Sequence, residues 1–420
     1  MPTYRTVLRS GEFRAVLGAH VFSMLAIVVG DVALTVLVYQ RTSSPLLASL
    51  TFAIGFVPMG IGAVVLGGVG RSRPSRDVLV ACEVVSSALL VVMALPGMPI
   101  PAMLALLAVK GSIDPVFSGT RAASLPELLG DEGFALGRSL LRLVSQNVQL
   151  VGFAAGGIAL VFVTPTEALL GAAAGYAASA LVLRLGTRRR APVAAPAGGD
   201  GPIHALRTLV AVPGMRPVMA MFWLPGFFAV APESLANPYA QLIGGGTVAV
   251  GLLLTGLPVG SVLGELLAGS LLAADRRTRL VVPLAAAGFV PVLLFAFAPS
   301  LPVAITLLVL SGLGTSYLIG LDQLALATVP EEIRRRAFTL LQAGSMVSQG
   351  LGFAAAGAVA ERLPVTTVIP LLAACGLAAV TLVGVRLRRA HPAAAAVTAP
   401  PVSMGRFGPG PSGVPPTIGP

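Results

Sequence analysis

The sequence predicts an all-α integral membrane protein of twelve transmembrane helices, arranged as two similar six-helix halves. Three observations predict it. The chain has 420 residues, of which 55% are hydrophobic and only 11% charged, whereas a soluble domain carries about 25% charged residues. Apolar runs of bilayer-crossing length, about 20 residues, recur from end to end. A fragment also occurs twice: 140–157 reads LLRLVSQNVQLVGFAAGG and 340–357 reads LLQAGSMVSQGLGFAAAG. Leu140, Leu141, Ser145, Gln149, Gly152, Phe153, Ala154, Ala155 and Gly157 are identical in the second copy, and each copy follows an acidic pair, Asp131-Glu132 or Glu331-Glu332. The alternation of a β-barrel strand, over about 10 residues, is absent.

The spans follow in order. The first, 15–39, is too long for a signal peptide and lacks a cleavage-type ending, so it reads as a retained helix. The second and third cover 45–69 and 78–96. The fourth, 101–120, is interrupted by Lys110, Asp114 and Pro115. The fifth, 138–162, holds the first copy of the repeat, and the sixth is 166–185. The second half follows the same plan at 217–235, 247–272, 280–298, 302–323, 338–360 and 365–386.

Arginine placement orients the chain. The loops after even-numbered spans hold Arg71/Arg73/Arg76, Arg121, Arg188/Arg189/Arg190/Arg207, Arg276/Arg277/Arg279 and Arg334/Arg335/Arg336; the alternate loops hold only Arg41 and Arg362. Positive loops stay cytoplasmic. Both termini are therefore expected in the cytoplasm, in the cytoplasmic (inner) membrane, and the span number is even. Four regions result: a half at 1–186, a Pro/Ala/Gly-rich linker at 187–215 ending in a surface helix at 203–212, a second half at 216–389, and a tail at 390–420 with too little apolar surface to fold.

Composition also excludes. The net charge of +11 is explained by loop arginines, and no basic face with interleaved aromatics points to nucleic acid. Cys82 and Cys375 lie in apolar runs and read as buried free thiols. No Cys/His spacing fits a metal, no phosphate-cradling loop fits ATP, and no nucleophile–histidine pair suggests an enzyme. No cofactor is expected, and nothing requires an oligomer.

Twelve spans, a cytoplasmic central loop and a parallel repeat resemble the major facilitator superfamily over residues 10–390. GDVALTVLVYQRTSSPLLASL (30–50), DPVFSGTRAASLPELLGDEGFALGRSL (114–140) and RTLVAVPGMRPVM (207–219) resemble the exporter branch that includes the enterobactin exporter and drug:proton antiporter-like proteins. The superfamily's motif between spans 2 and 3 appears as GGVGRSRPSRD, with Gly67, Gly68, Gly70 and the basic Arg71, Arg73 and Arg76 but without its usual Asp; the related loop after span 8 supplies Asp275-Arg276. The antiporter motif GPxxGG appears as Gly152-Phe153-Ala154-Ala155-Gly156-Gly157, with Phe for Pro. With Gly352 and Gly357 in the second copy, these small residues suit close helix packing.

Charges within spans are costly and usually functional. Asp31, Lys110, Asp114 and Glu265 are candidates for coupling transport to protons, and Lys110 and Asp114, four apart, share a helix face. Arg138, Arg142, Ser145, Gln149, Gly152 and Gly156 form one stripe by their spacing. Asn147, Gln149, Ser345, Gln349, Trp223 and Tyr317 are candidates for lining a substrate cavity. Asp275 with Arg138 or Arg142, together with Arg71 and Arg76, are candidates for an inner gate. Glu233 and Asp322 are expected near helix ends, Glu83 is a weaker candidate, and His20 reads as a packed residue. The expected protein is a secondary transporter that exports a small, amphipathic molecule (drug, secondary metabolite or siderophore type) by alternating access and proton antiport. Its partners are the cargo, protons and the lipid bilayer. The rival readings are a nutrient importer on the same fold and a sensor or assembly protein that no longer transports.

Overall fold

A computed structural model describes residues 4–65, 73–190 and 202–390. Among them, every regular element is a helix, and nine helices are long and apolar enough to cross a membrane. In the first half these are α1 (Gly11–Thr42), α2 (Pro45–Val65), α4 (Ile100–Gly130), α5 (Leu136–Phe162) and α6 (Pro165–Gly186). In the second half they are α7 (Met215–Leu242), α8 (Gly246–Leu271), α10 (Leu301–Thr328) and α12 (Val365–Ala390). Helix also covers the remaining expected passages, as α3 (Ser75–Met93), α9 (Val281–Phe297) and α11 (Arg334–Ala360).

Local chemistry sets the ends. Ser10 caps α1 by accepting a hydrogen bond from the Phe13 amide, and Ser43 closes it in the left-handed conformation. Thr164 and Glu167 form a reciprocal capping box at α6, with Pro165 in the first turn where no donor is needed. Backbone helix runs from Ile100 to Phe162 and is broken only at Gly130, whose φ of 66° divides α4 from α5. α7 is interrupted twice, into Met215–Ala229, Ala231–Ser234 and Ala236–Leu242. Pro225, Pro232 and Pro238 remove backbone donors along it.

Both copies of the repeated fragment make close glycine contacts. A Cβ on Gly152 of α5 would meet Val28 of α1 at 2.9 Å; one on Gly352 of α11 would meet the Phe227 carbonyl of α7 at 2.1 Å. A Cβ on Gly157 would lie 2.5 Å from the Gly251 Cα of α8, and one on Gly357 would lie 2.7 Å from Ser49 of α2. Thus α5 packs on α1 and α8, and α11 packs on α7 and α2. The α2–α11 seam is apolar, with Phe353 stacked on Phe52 at 5.0 Å and tilted against Phe56 at 5.5 Å.

Several expectations need qualification. The surface helix runs Pro202–Ala211. The rest of the linker at 191–201, the tail from 391 onward, and Gly67, Gly68, Gly70 and Arg71 lie outside the described residues. Both cysteines are free, but only Cys82 is buried; Cys375 is exposed, because it points out of the helix bundle from α12.

Helices in lipid associate through close contact rather than water exclusion, so a methyl at a backbone-to-backbone crossing should be felt. Gly157→Ala is expected to lower the thermal unfolding midpoint, at a cost of roughly 1–3 kcal/mol. Gly171→Ala, where a Cβ meets nothing within 4 Å, should leave the midpoint unchanged or raise it. Both are read by thermal unfolding in detergent.

Candidate functional site

Charged side chains gather midway along the first half. Lys110 Nζ lies 3.3 Å from Asp114 Oδ2, with side chains 6% and 23% exposed. The one-turn spacing on α4 brings the pair together as the sequence indicates. The Lys110 ammonium also sits 5.4 Å from the ring centre of Tyr176 on α6, a cation–π arrangement. Asp31 of α1 is half-buried and within electrostatic reach of both Lys110 and Asp114. Glu233 belongs to the interrupted middle of α7, not to a solvated helix end, and it interacts electrostatically with Asp31 across the two halves. The proline-rich breaks in α7 place it there. One lysine therefore faces two carboxyls, Asp114 and Asp31, and a third, Glu233, is within reach of Asp31.

The end of the molecule opposite the arginine-rich loops is closed. Glu361 accepts hydrogen bonds from the Ser44 hydroxyl and, at 3.1 Å, from the Leu46 amide. Tyr39 donates to Gln241 at 3.1 Å, and Ser234 donates to Ser49 at 2.8 Å. Each of these bonds joins the first half to the second. Towards the arginine-rich end a cavity of about 780 Å³ opens where α2 and α11, in close contact at Gly60, meet α7 and the surface helix. Gly60, Ile61 and Val64 line it from α2, Met219 and Trp223 from α7, and Val347 from α11. Among the described residues its only charged lining residue is Arg216, and Ser348 is among its few polar ones.

The expected cavity residues divide. Trp223 lines the cavity, with its indole N–H donating to the Leu341 carbonyl at 3.0 Å. Gln149 is exposed one turn before the buried Gly152, Phe153 and Gly156 of α5 and is not among the lining of this cavity. Gln349 packs against Gly226 of α7 and donates to the Ser345 hydroxyl of its own helix at 3.1 Å; neither residue is among the lining of this cavity. Tyr317 is a core residue, 7% exposed, whose hydroxyl donates to the Met221 carbonyl. Asn147 is a correction: it shares the exposed stripe of Leu143, Val151 and Ile158. Its amide is satisfied by the Leu143 carbonyl at 2.7 Å, so it faces outward.

The gate candidates also divide. Asp275 is exposed, and among the described residues no ion pair reaches its carboxylate. Arg138 is exposed, and the Arg142 side chain lies outside the described residues. Arg76 stays within its own half, donating to the Thr187 carbonyl at 3.4 Å and lying 4.0 Å from Asp77. Asp77 in turn pairs with Arg189 at 2.8 Å, and Glu12 with Arg190 at 2.7 Å. Glu265 is half-buried on α8.

Sequence reasoning underrated a second polar group in the first half. His20, 1% exposed, bonds Ser145 of α5 at 2.8 Å through Nε2 and Arg121 of α4 through Nδ1. Glu83 of α3, 2% exposed, accepts from Ser23 of α1 at 2.5 Å, and Ser23 lies 3.0 Å from Ser179 of α6. Their partners are distant in sequence, so no local spacing announced them.

An all-helical bundle with nine helices apolar and long enough to cross a membrane among the described residues, bonded across its halves at one end and carrying an apolar cavity towards the other, is a transporter architecture. Residues 4–403 match the transmembrane secretion effector family, and the chain belongs to that family, a membrane transporter of major facilitator type. No curated protein matches the sequence. Among solved structures, a mutant of the nucleoside transporter NupG superposes with a TM-score of 0.70 at 13% identity, covering 89% of this chain and 99% of that one. A POT family transporter in complex with a thioalcohol conjugated peptide gives 0.71 at 12% identity, covering 90% and 96%. A bacterial homolog of the human lysosomal transporter Spinster, inward-facing and unoccupied, gives 0.63 at 14% identity, covering 92% and 97%. At these identities the likeness is one of fold.

Removing one member of a buried pair leaves the other uncompensated, at a cost of roughly 3–5 kcal/mol, whereas replacing both is often neutral. Lys110→Met should therefore depress the unfolding midpoint strongly, and adding Asp114→Leu should recover most of the loss. At the closed end, Ser44→Cys with Glu361→Cys in a Cys82→Ala, Cys375→Ala background should be bridged by a short bismaleimide, read by intact mass as one reagent molecule with both thiols consumed. Each single variant should take up the same reagent without a bridge.

Proposed function

We propose that this protein is a secondary active exporter that carries a small, amphipathic molecule out of the cytoplasm in exchange for protons. The observation that carries the reading is the apolar cavity of about 780 Å³ on the arginine-rich side, with the bonds that join the halves gathered at the other end. Arginine-rich loops favour the cytoplasm, so the cavity faces inward, both termini are cytoplasmic, and the molecule sits in the cytoplasmic membrane ready to load cargo from within. Its two halves rock about the seam formed by α2, α5, α8 and α11, in the manner of parallel-repeat transporters.

Protons are the coupling ion in this reading because carboxyls stand inside the spans. Asp31, Asp114 and Glu233 outnumber Lys110, so the group can gain a proton and reduce its charge as cargo leaves. Glu265 is a further carboxyl on α8. Asp275 and Arg138 or Arg142 are assigned to the opposite conformation, in which the cytoplasmic side closes. Nutrient uptake on the same fold is the second reading; the Phe153 substitution for the antiporter proline is what favours it.

Inside-out vesicles separate these readings, with ethidium and a catecholate siderophore as probes. An exporter accumulates a probe when the lumen is acid, an importer does not, and a protein that no longer transports shows no flux. Asp31→Asn should cut acid-driven accumulation by about tenfold or more with unchanged amounts of folded protein. Acid-driven accumulation at the wild-type rate in this variant would remove Asp31 from the coupling step.

A further inference from the structure

The first half contains a column of polar residues that the cavity does not touch. At its outer level stand Asp31, Lys110, Asp114 and Tyr176. Eight residues nearer the α1 start comes Ser23, about 12 Å of helix rise at 1.5 Å per residue. There Ser23, Ser179 and Glu83 join α1, α6 and α3. One turn further on, His20, Arg121 and Ser145 join α1, α4 and α5. The column ends at the arginine-rich surface, where Glu12 pairs with Arg190 and Arg188, and Asp77 with Arg189.

Glu83 is the unexplained member. It is 2% exposed, and its Oε2 has no hydrogen-bond partner. Among the described residues no cation lies within ion-pair distance of it. A bare carboxylate so enclosed is costly, while a carboxylic acid is far less so. The groups that face it are Ser23 from α1, Ser179 from α6, Asp114 and Arg121 from α4, and Cys82 beside it on α3. Arg121 is turned onto His20 rather than onto Glu83. Helix packing needs no acid here, since a glutamine fills the same space.

We propose that Glu83 is a relay acid: it receives the transported proton from the Asp114 level and releases it towards the cytoplasm, so that protons move inside the first half while cargo moves between the halves. In the first step a file of water molecules entering between the levels takes the proton as the O–H bond of a carboxyl at the Asp31/Asp114 level breaks, and delivers one to Glu83, where an O–H bond forms. In the second the Glu83 O–H breaks and water on the cytoplasmic side takes the proton, leaving a carboxylate that the Ser23 hydroxyl donates to. Ser23 and Ser179 hold the Glu83 carboxyl in place and supply hydroxyls to either protonation state. The proposal rests on the proton-antiport reading above and adds a separate path and a named intermediate.

Two measurements on the full chain in lipid nanodiscs and vesicles test it. Infrared spectra over a pH series should show the carbonyl band of a buried carboxylic acid that is absent in Glu83→Gln and shifted in Ser23→Ala. In vesicles, Glu83→Gln should lower acid-driven ethidium accumulation by about 100-fold while ethidium exchange without a gradient stays near wild type, and Glu83→Asp should restore part of the loss. The same acid band in wild type and Glu83→Gln overturns the proposal. So does full acid-driven accumulation in Glu83→Gln. If Glu83→Gln does not fold, the absence of a band shift in Ser23→Ala overturns it alone. Failure of the wild type to use a proton gradient overturns the antiport reading and the relay with it; a coupled wild type with an unaffected Glu83→Gln overturns the relay only.

Discussion

The close approach of α5 to α8 at Gly157 and Gly251 is the contact on which the rest of the structure depends. Lipid tails are as apolar as leucine, so no exclusion of water drives helices together within a bilayer. Only tight contact can, and a Cβ on either glycine would fall within 2.6 Å of the other's Cα. The matching contact of Gly357 with Ser49 is made by the second copy of the repeat. Further close crossings of α2 and α11, at Gly60 and Gly350, continue this seam towards the arginine-rich end, beside the apolar cavity.

The two halves share a packing scheme but divide the chemistry. The Lys110–Asp114 pair, Asp31, Glu83, Arg121 and His20 all belong to the first half. The second half contributes Glu233 at the break in α7 and the half-buried Glu265 on α8, and packs leucine, phenylalanine and valine against the seam. Intramembrane charges are stable only in partnership, and a partnership is easier to keep inside one rigid half than across a moving boundary. This accounts for the position of Glu233: it reaches Asp31 where the chain of α7 is interrupted and the two halves still touch.

Much of this was legible in the sequence for identifiable reasons. Apolar length and the lipid-specific scarcity of charge mark the helices, and the duplicated glycines in 140–157 and 340–357 mark the seam. The Lys110–Asp114 pair was legible because both residues sit on one helix a turn apart. The His20–Arg121–Ser145 and Ser23–Glu83–Ser179 groups were not, because each gathers side chains from three helices and no period in one segment encodes that. Asn147 misled because an amide in a span suggests a polar lining; its bond to the Leu143 carbonyl removes that need. Tyr317 misled for a related reason, since its hydroxyl is satisfied by a neighbouring backbone within the core. Glu233 was misplaced because proline breaks within α7 shorten the apparent span.

The bonds of Glu361 have a consequence for how the closed end opens. The Leu46 amide that it accepts from belongs to the first turn of α2, whose leading N–H groups have no carbonyl partner within their own helix. Glu361, from the end of α11, therefore acts as an N-cap for a helix in the other half, and its negative charge complements the positive end of the α2 dipole. Separating the halves exchanges this cap for water rather than tearing a packed core. For an exposed cap the cost of that exchange is about 1 kcal/mol or less. The closed end is in this sense a borrowed helix terminus, light enough to be given back in every cycle.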